Sequence, residues 1–173
     1  MDIEELRRRQ APLKELYRKE PARAEWVLSA EGTIDPEGLR VILRTGHGDV
    51  TAGHHPATGG SGKEACSGEM LLDAMAACAG VTLSSVAVAL GITLRRANVR
   101  VEAPLDFRGT LGVDRSVPVG FREVRLLFNV DSDADEAGLA NLLRLTERYC
   151  VVFQTLRQTP TVSAAISRIS EVP

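Results

Sequence analysis

Apolar positions along this chain change their spacing several times, and each change marks an element. In residues 3–20, Ile3, Leu6, Leu13, Leu16 and Tyr17 fall near one helical face and charges fill the rest. Pro12 interrupts the run, which predicts a kink or two short helices. The segment 1–23 reads as an amphipathic arm that packs on the body or on a partner subunit. Residues 24–34 alternate loosely around Trp26, Val27 and Leu28. Asp35-Pro36-Glu37-Gly38 is turn chemistry. Leu39, Val41 and Leu43 then alternate with Arg40, Ile42 and Arg44, so 24–46 predicts a β-hairpin. From Thr45 to Ser67 the chain is glycine-rich and holds all three histidines. That composition predicts one long loop.

The pattern then changes to a single long run, SGEMLLDAMAACAGVTLSSVAVAL, from Ser67 to Leu90. Leu71, Leu72, Met75, Cys78, Ala79, Leu83, Val86 and Leu90 recur at helical spacing, and the other positions are mostly Ala, Gly or Ser. A helix that is apolar or small all round belongs at the centre of a fold. Ser67 is a natural cap, Glu69 sits in the first turn where a carboxylate suits the helix dipole, and Gly91 ends the run. Strand alternation follows in 92–107, a loop in 108–120, and alternation again in 121–130. Asp131-Ser132-Asp133 offers a cap for an amphipathic helix over 134–148. Residues 149–156 predict a continuation or a second short helix, Pro160 a break, and 162–167 a last strand. This order lacks regular β-α alternation, so the expected class is α+β, with antiparallel hairpins wrapped around a central helix.

Bulk properties narrow the function. The chain has 173 residues, enough for one ordinary domain and its core. Its net charge of −2 lacks the basic excess of most nucleic-acid binders. MDIEELRRRQ has no signal-peptide core. The Ser67–Leu90 run is long enough to span a membrane, but it carries Glu69 and Asp73 and lacks basic anchors at its start. A soluble, cytoplasmic protein with no membrane and no nucleic-acid partner is expected.

Candidate chemistry lies in Cys66, Cys78 and Cys150. In a reducing compartment such cysteines are core residues, metal ligands or redox groups. His47, His54, His55 and Cys66 match no standard ligand spacing, so they read as loop residues and no metal is expected. If 67–78 is helical, Cys66 lies about 18 Å along the axis from Cys78. A disulfide needs Cα atoms within about 7 Å, which excludes that pair within one chain.

Two segments carry a family resemblance: EMLLDAMAAC (69–78) and ERYCVVFQTLRQTPTV (147–162), their cysteines 72 residues apart (150 − 78). They resemble the OsmC/Ohr family over roughly residues 24–170, leaving the N-terminal arm outside a domain at 24–173. The resemblance implies an intertwined homodimer of α+β fold, with thiol-dependent reduction of organic hydroperoxides. It implies Cys78 as the attacking cysteine and Cys150 as the resolving one, with a lipoyl-type dithiol as reductant. It also implies a Glu and an Arg that serve the sulfur. The family's Glu position falls on Gly68, with Glu69 beside it, and the candidate arginines are Arg40, Arg44 and Arg148. The residue after the second cysteine, proline in the family, is Val151. The chemistry itself requires only two thiols: a thiolate cleaves the O–O bond, becomes a sulfenic acid and condenses with a second thiol. No cofactor is needed. The alternative is a non-peroxidase dimer of the same fold that binds a small apolar or thiol-reactive ligand at its interface.

Overall fold

The structure, a computed structural model, describes residues 2–168. Residues 169–173, the end of the expected domain, lie outside the described residues.

Helix α1 spans Ile3–Lys19. Asp2 caps it, its carboxylate accepting the Glu5 N–H at 2.8 Å. The expected division at Pro12 does not occur, because α1 runs through it as one helix. Pro12 deletes a single bond to the Arg8 carbonyl, and Arg8 lies on the exposed side of the helix, where such a loss costs least. A shallow cleft between Leu6 and Gly80, Val81, Ser84 and Val88 joins α1 to the central helix.

Strands β1 (Glu31–Asp35), β2 (Arg40–Thr45), β3 (Gly48–Gly53) and β4 (Ala65–Cys66) form a sheet in that order. The β1–β2 hairpin turns at the expected place, where Asp35 accepts from the Gly38 N–H at 3.1 Å and from Arg40 Nε at 2.8 Å. Two expectations fail here. The first strand begins at Glu31, and Trp26, Val27 and Leu28 lie exposed outside any strand. The presumed loop after Thr45 contains β3, which pairs with β2 in antiparallel register, Val50 opposite Leu43. Small and polar residues hid that strand, since its stability comes from its neighbour rather than from propensity. β4 pairs parallel to β3.

Helix α2 covers Ser67–Leu90, as the sequence predicts. Its N-cap is Cys66 rather than Ser67, and the Cys66 side chain makes no capping bond. Gly91, at φ 70°, closes the other end in the left-handed conformation. By length and composition alone α2 could cross a membrane. Here it packs against β5 (Leu94–Glu102), α4 (Glu136–Tyr149) and α5 (Val151–Arg157). Leu83, Val86 and Ala87 of α2 and Leu142 of α4 form one buried core cluster, flanked by Ile92, Phe128 and Leu139.

β5 pairs antiparallel with β6 (Arg125–Ser132), an isolated ribbon that α2 supports from one side. Between them runs a long connection with a short helix, α3 (Phe107–Thr110). The expected cap at 131–133 is still strand and bend. Asp135 caps α4 instead, accepting from Gly138 N–H at 2.8 Å. The last expected strand is absent: Val162 is 80 % and Ile166 100 % exposed, and the segment has no strand beside it.

The sheet β1–β4 rests on the remainder of the chain mainly at β4 and at His55, whose ring stacks on Phe107 with centroids 4.9 Å apart. Its apolar positions are therefore poorly covered. The accessible surface is 13,693 Å². A folded monomer of this mass exposes about 8,300 Å².

Candidate functional site

Cys78 lies at the midpoint of α2, on the side that meets α4 and α5. Cys150 occupies a helix corner. It is at once the C-cap of α4 and the N-cap of α5, with φ −75° and ψ 111°. Its N–H donates to the Thr146 carbonyl at 2.9 Å and its carbonyl accepts from the Gln154 N–H at 3.0 Å. Gln154 also ties the corner through its side chain, which donates to the Glu147 carbonyl at 2.7 Å. Because α2 packs on both arms of this corner, the two thiols are near enough to influence each other's ionisation, and both are free.

The environments of the two sulfurs push them apart electrostatically. Burial raises the Cys78 thiol. Against it stand the backbone N–H of Val152, the Cys150 thiol, the backbone N–H of Val151 and the Thr82 hydroxyl, and together they hold Cys78 below its ordinary value. These amides are the first of α5, where a helix has unsatisfied N–H groups. Burial also raises Cys150, and its bond to and charge repulsion with Cys78 add to that, against the N–H groups of Phe153 and Val152. Its net shift is upward. Cys150 is 0 % exposed, whereas Cys78 is partly exposed. The arrangement therefore makes Cys78 the easier of the two thiols to ionise.

An apolar cavity of about 700 Å³ lies one helical turn from the pair along α2 and α5, and neither cysteine lines it. Its walls include Leu71 and Met75, on the turns of α2 before Cys78, with Phe121 opposite and Phe153 from α5. Arg122 and Arg157 lie at its edge.

The other candidates lie elsewhere. Glu69 is exposed in the first turn of α2, two and a half turns before Cys78, about 13 Å along the axis. Cys66 is at the helix start and lines a separate cavity with His54 and His55. His55 accepts the Ala57 N–H at 3.0 Å in addition to its stack on Phe107. Arg40 is paired with Asp35, and Arg148 stacks on Tyr149 at 5.5 Å. Apart from Cys150, the groups that hold Cys78 down are neutral ones that sequence reasoning missed. Thr82 had a usable signal, lying four residues after Cys78 on the same face. Val151 and Val152 act through their backbone, so residue type did not reveal them.

The family model described as OsmC-like protein matches residues 60–165. No curated protein matches the chain. Among solved structures, the chain is similar to an OsmC-like protein from Mycoplasma pneumoniae, with TM-score 0.64 and 18 % identity over 78 % of this chain and 90 % of that one. It is similar to an organic hydroperoxide resistance protein from Elizabethkingia anophelis, with TM-score 0.60 and 16 % identity over 78 % and 91 %. It is also similar to an organic hydroperoxide resistance protein OsmC from Legionella pneumophila, with TM-score 0.60 and 17 % identity over 78 % and 93 %. With a cysteine-centred helix in an α+β frame and a family match across most of its length, the chain belongs to the OsmC-like family.

Proposed function

We propose that this protein is a cysteine-based peroxidase that reduces organic hydroperoxides in the cytoplasm. The observation that carries the reading is the paired placement of Cys78 and Cys150, one thiol depressed and the other raised. The Cys78 thiolate attacks the peroxide. An S–O bond forms, the O–O bond breaks, and the departing alkoxide takes a proton from water to become the alcohol. Cys150 then attacks the sulfenic sulfur. The S–S bond forms as hydroxide leaves, and the Cys150 proton completes a water molecule. An external dithiol of lipoyl type returns two electrons and two protons. The apolar cavity beside Met75 and Phe153 suits the organic part of such a substrate.

The working unit in this reading is a homodimer. The excess of about 5,000 Å² per chain over the monomer expectation leaves ample surface for a large obligate interface, which buries about 1,000–2,500 Å² on each partner.

A second reading is a dimer that holds a small apolar ligand in the same cavity without turnover. It is favoured by the neutral surroundings of Cys78. Cumene hydroperoxide with a dihydrolipoyl reductant separates the two. The peroxidase reading expects consumption that Cys78→Ser abolishes, and a peroxide pulse that removes two hydrogens across a Cys78–Cys150 peptide pair. Cys150→Ser should complete one turnover and stall. Full turnover by Cys78→Ser, or unchanged thiols after the pulse, would sink it.

A further inference from the structure

Three hydroxyls in the helices among the described residues donate to the carbonyl four residues before them. Thr82 donates to Cys78 at 2.7 Å, Ser85 to Val81 at 2.9 Å and Thr146 to Leu142 at 2.8 Å. Bonds of this kind are common in helices and carry no function on their own. Thr82 differs from the other two in one respect: the residue four before it is ionisable, whereas Val81 and Leu142 are not. The Cys78 carbonyl already receives the Thr82 backbone N–H through the helix ladder. The hydroxyl bond to that oxygen is therefore a second one, which the helix can do without. Thr82 is half-buried one helical turn after Cys78 on the same face of α2, with its hydroxyl 2.7 Å from the Cys78 carbonyl, and it helps to hold the Cys78 thiol below its ordinary value.

From this placement we infer that Thr82 is a catalytic residue of the proposed reaction, whose hydroxyl turns from the Cys78 carbonyl to the Cys78 sulfur once the thiolate forms. The inference rests on Cys78 being the nucleophile. A bond to a charged acceptor is about twice as strong as one to a neutral carbonyl, which gives the hydrogen its direction. Nothing is transferred in this step. The thiol proton leaves to solvent, the hydroxyl rotates, and it returns to the carbonyl when the sulfur becomes sulfenic acid or disulfide. The hydroxyl also fixes the direction of the attacking lone pair, because it occupies the side of the sulfur toward the C-terminal end of α2.

Thr82→Val keeps the branched shape and deletes the donor, while Thr82→Ser keeps the donor and deletes a methyl. The test is the pH dependence of iodoacetamide alkylation at each cysteine of the full chain, read by peptide mass, beside peroxide consumption. Thr82→Val should raise the Cys78 midpoint by about one pH unit and slow its alkylation near neutrality about tenfold. Cys66 should be unaffected, and Thr82→Ser should behave as wild type. An unmoved Cys78 midpoint in folded Thr82→Val overturns the assignment, and so does a Ser variant shifted as far as Val. If Thr82→Val fails to fold, Thr82→Ala takes its place against Thr82→Ser with the same criteria. A Cys78 midpoint that shifts as expected, in a wild-type protein that never consumes peroxide, overturns the peroxidase reading while the Thr82 bond to sulfur stands.

Discussion

Val151 shows how a backbone atom can do work that its side chain does not. Its side chain is largely exposed, but its N–H is one of the groups that hold the Cys78 thiol below its ordinary value. As the first residue of α5 it has no partner for that N–H within the helix. Proline is well tolerated at this position and lacks the donor. The preceding residue, Cys150, already has the extended geometry that proline demands. Val151→Pro should therefore leave the melting temperature unchanged or slightly raised. It removes one of the groups that hold Cys78 down, so the Cys78 alkylation midpoint should move to higher pH, at least as far as in Thr82→Val. A midpoint that stays in place would mean the amide does not act on the sulfur. The two cysteines were legible in the sequence because they fall in recognisable segments at a telling separation. Their activating groups were not, because amides look alike at every position and a helical threonine is ordinary until its neighbour is seen to be a cysteine.

Elements were legible where periodicity is strong and contacts are local. The runs that became α2, α4 and α5 could be read from the chain, and so could the alternation in β5 and β6. β3 escaped because Asp49, Thr51 and Gly53 carry no strand signature, and pairing with β2 makes the strand. The opposite error occurred at 162–167, where Val162, Ser163 and Ala164 alternate well but have no strand beside them. Helix boundaries followed hydrogen bonds rather than composition. The start of α4 depends on Asp135, not on the acidic cluster before it. Asp135→Ala should cost about 1 kcal/mol of stability. In a chain of this size that is a fall of about 2–4 °C in melting temperature, and Asp135→Asn should be nearly silent. A loss in the Asn variant as large as in Ala would show that the side chain acts in some other way than as a cap.

At the scale of the molecule, the sheet β1–β4 and the segment before it leave much apolar surface uncovered, including Trp26 at 77 % exposure. The sequence showed the alternation of Val41 and Leu43 but not that the described residues would leave both only half-buried. If a second copy supplies the cover, sedimentation at micromolar concentration should give twice the chain mass of 18.7 kDa. Emission from the sole tryptophan should shift to the red on dilution, in step with dissociation. A monodisperse monomer with unchanged emission across that range would remove the homodimer from the proposed mechanism.

The helix corner at Cys150 has a consequence for the return half of the proposed cycle. Once the two sulfurs are joined, an incoming reductant can reach only the one on α2, since the other is sealed in the corner. Attack there must expel Cys150, the thiol with the raised pKa and so the slower leaving group. The easily attacked sulfur thus releases the reluctant partner. In the proposed cycle regeneration therefore lags, and under a steady supply of peroxide the bridged form should accumulate until a small, strongly reducing dithiol reaches it.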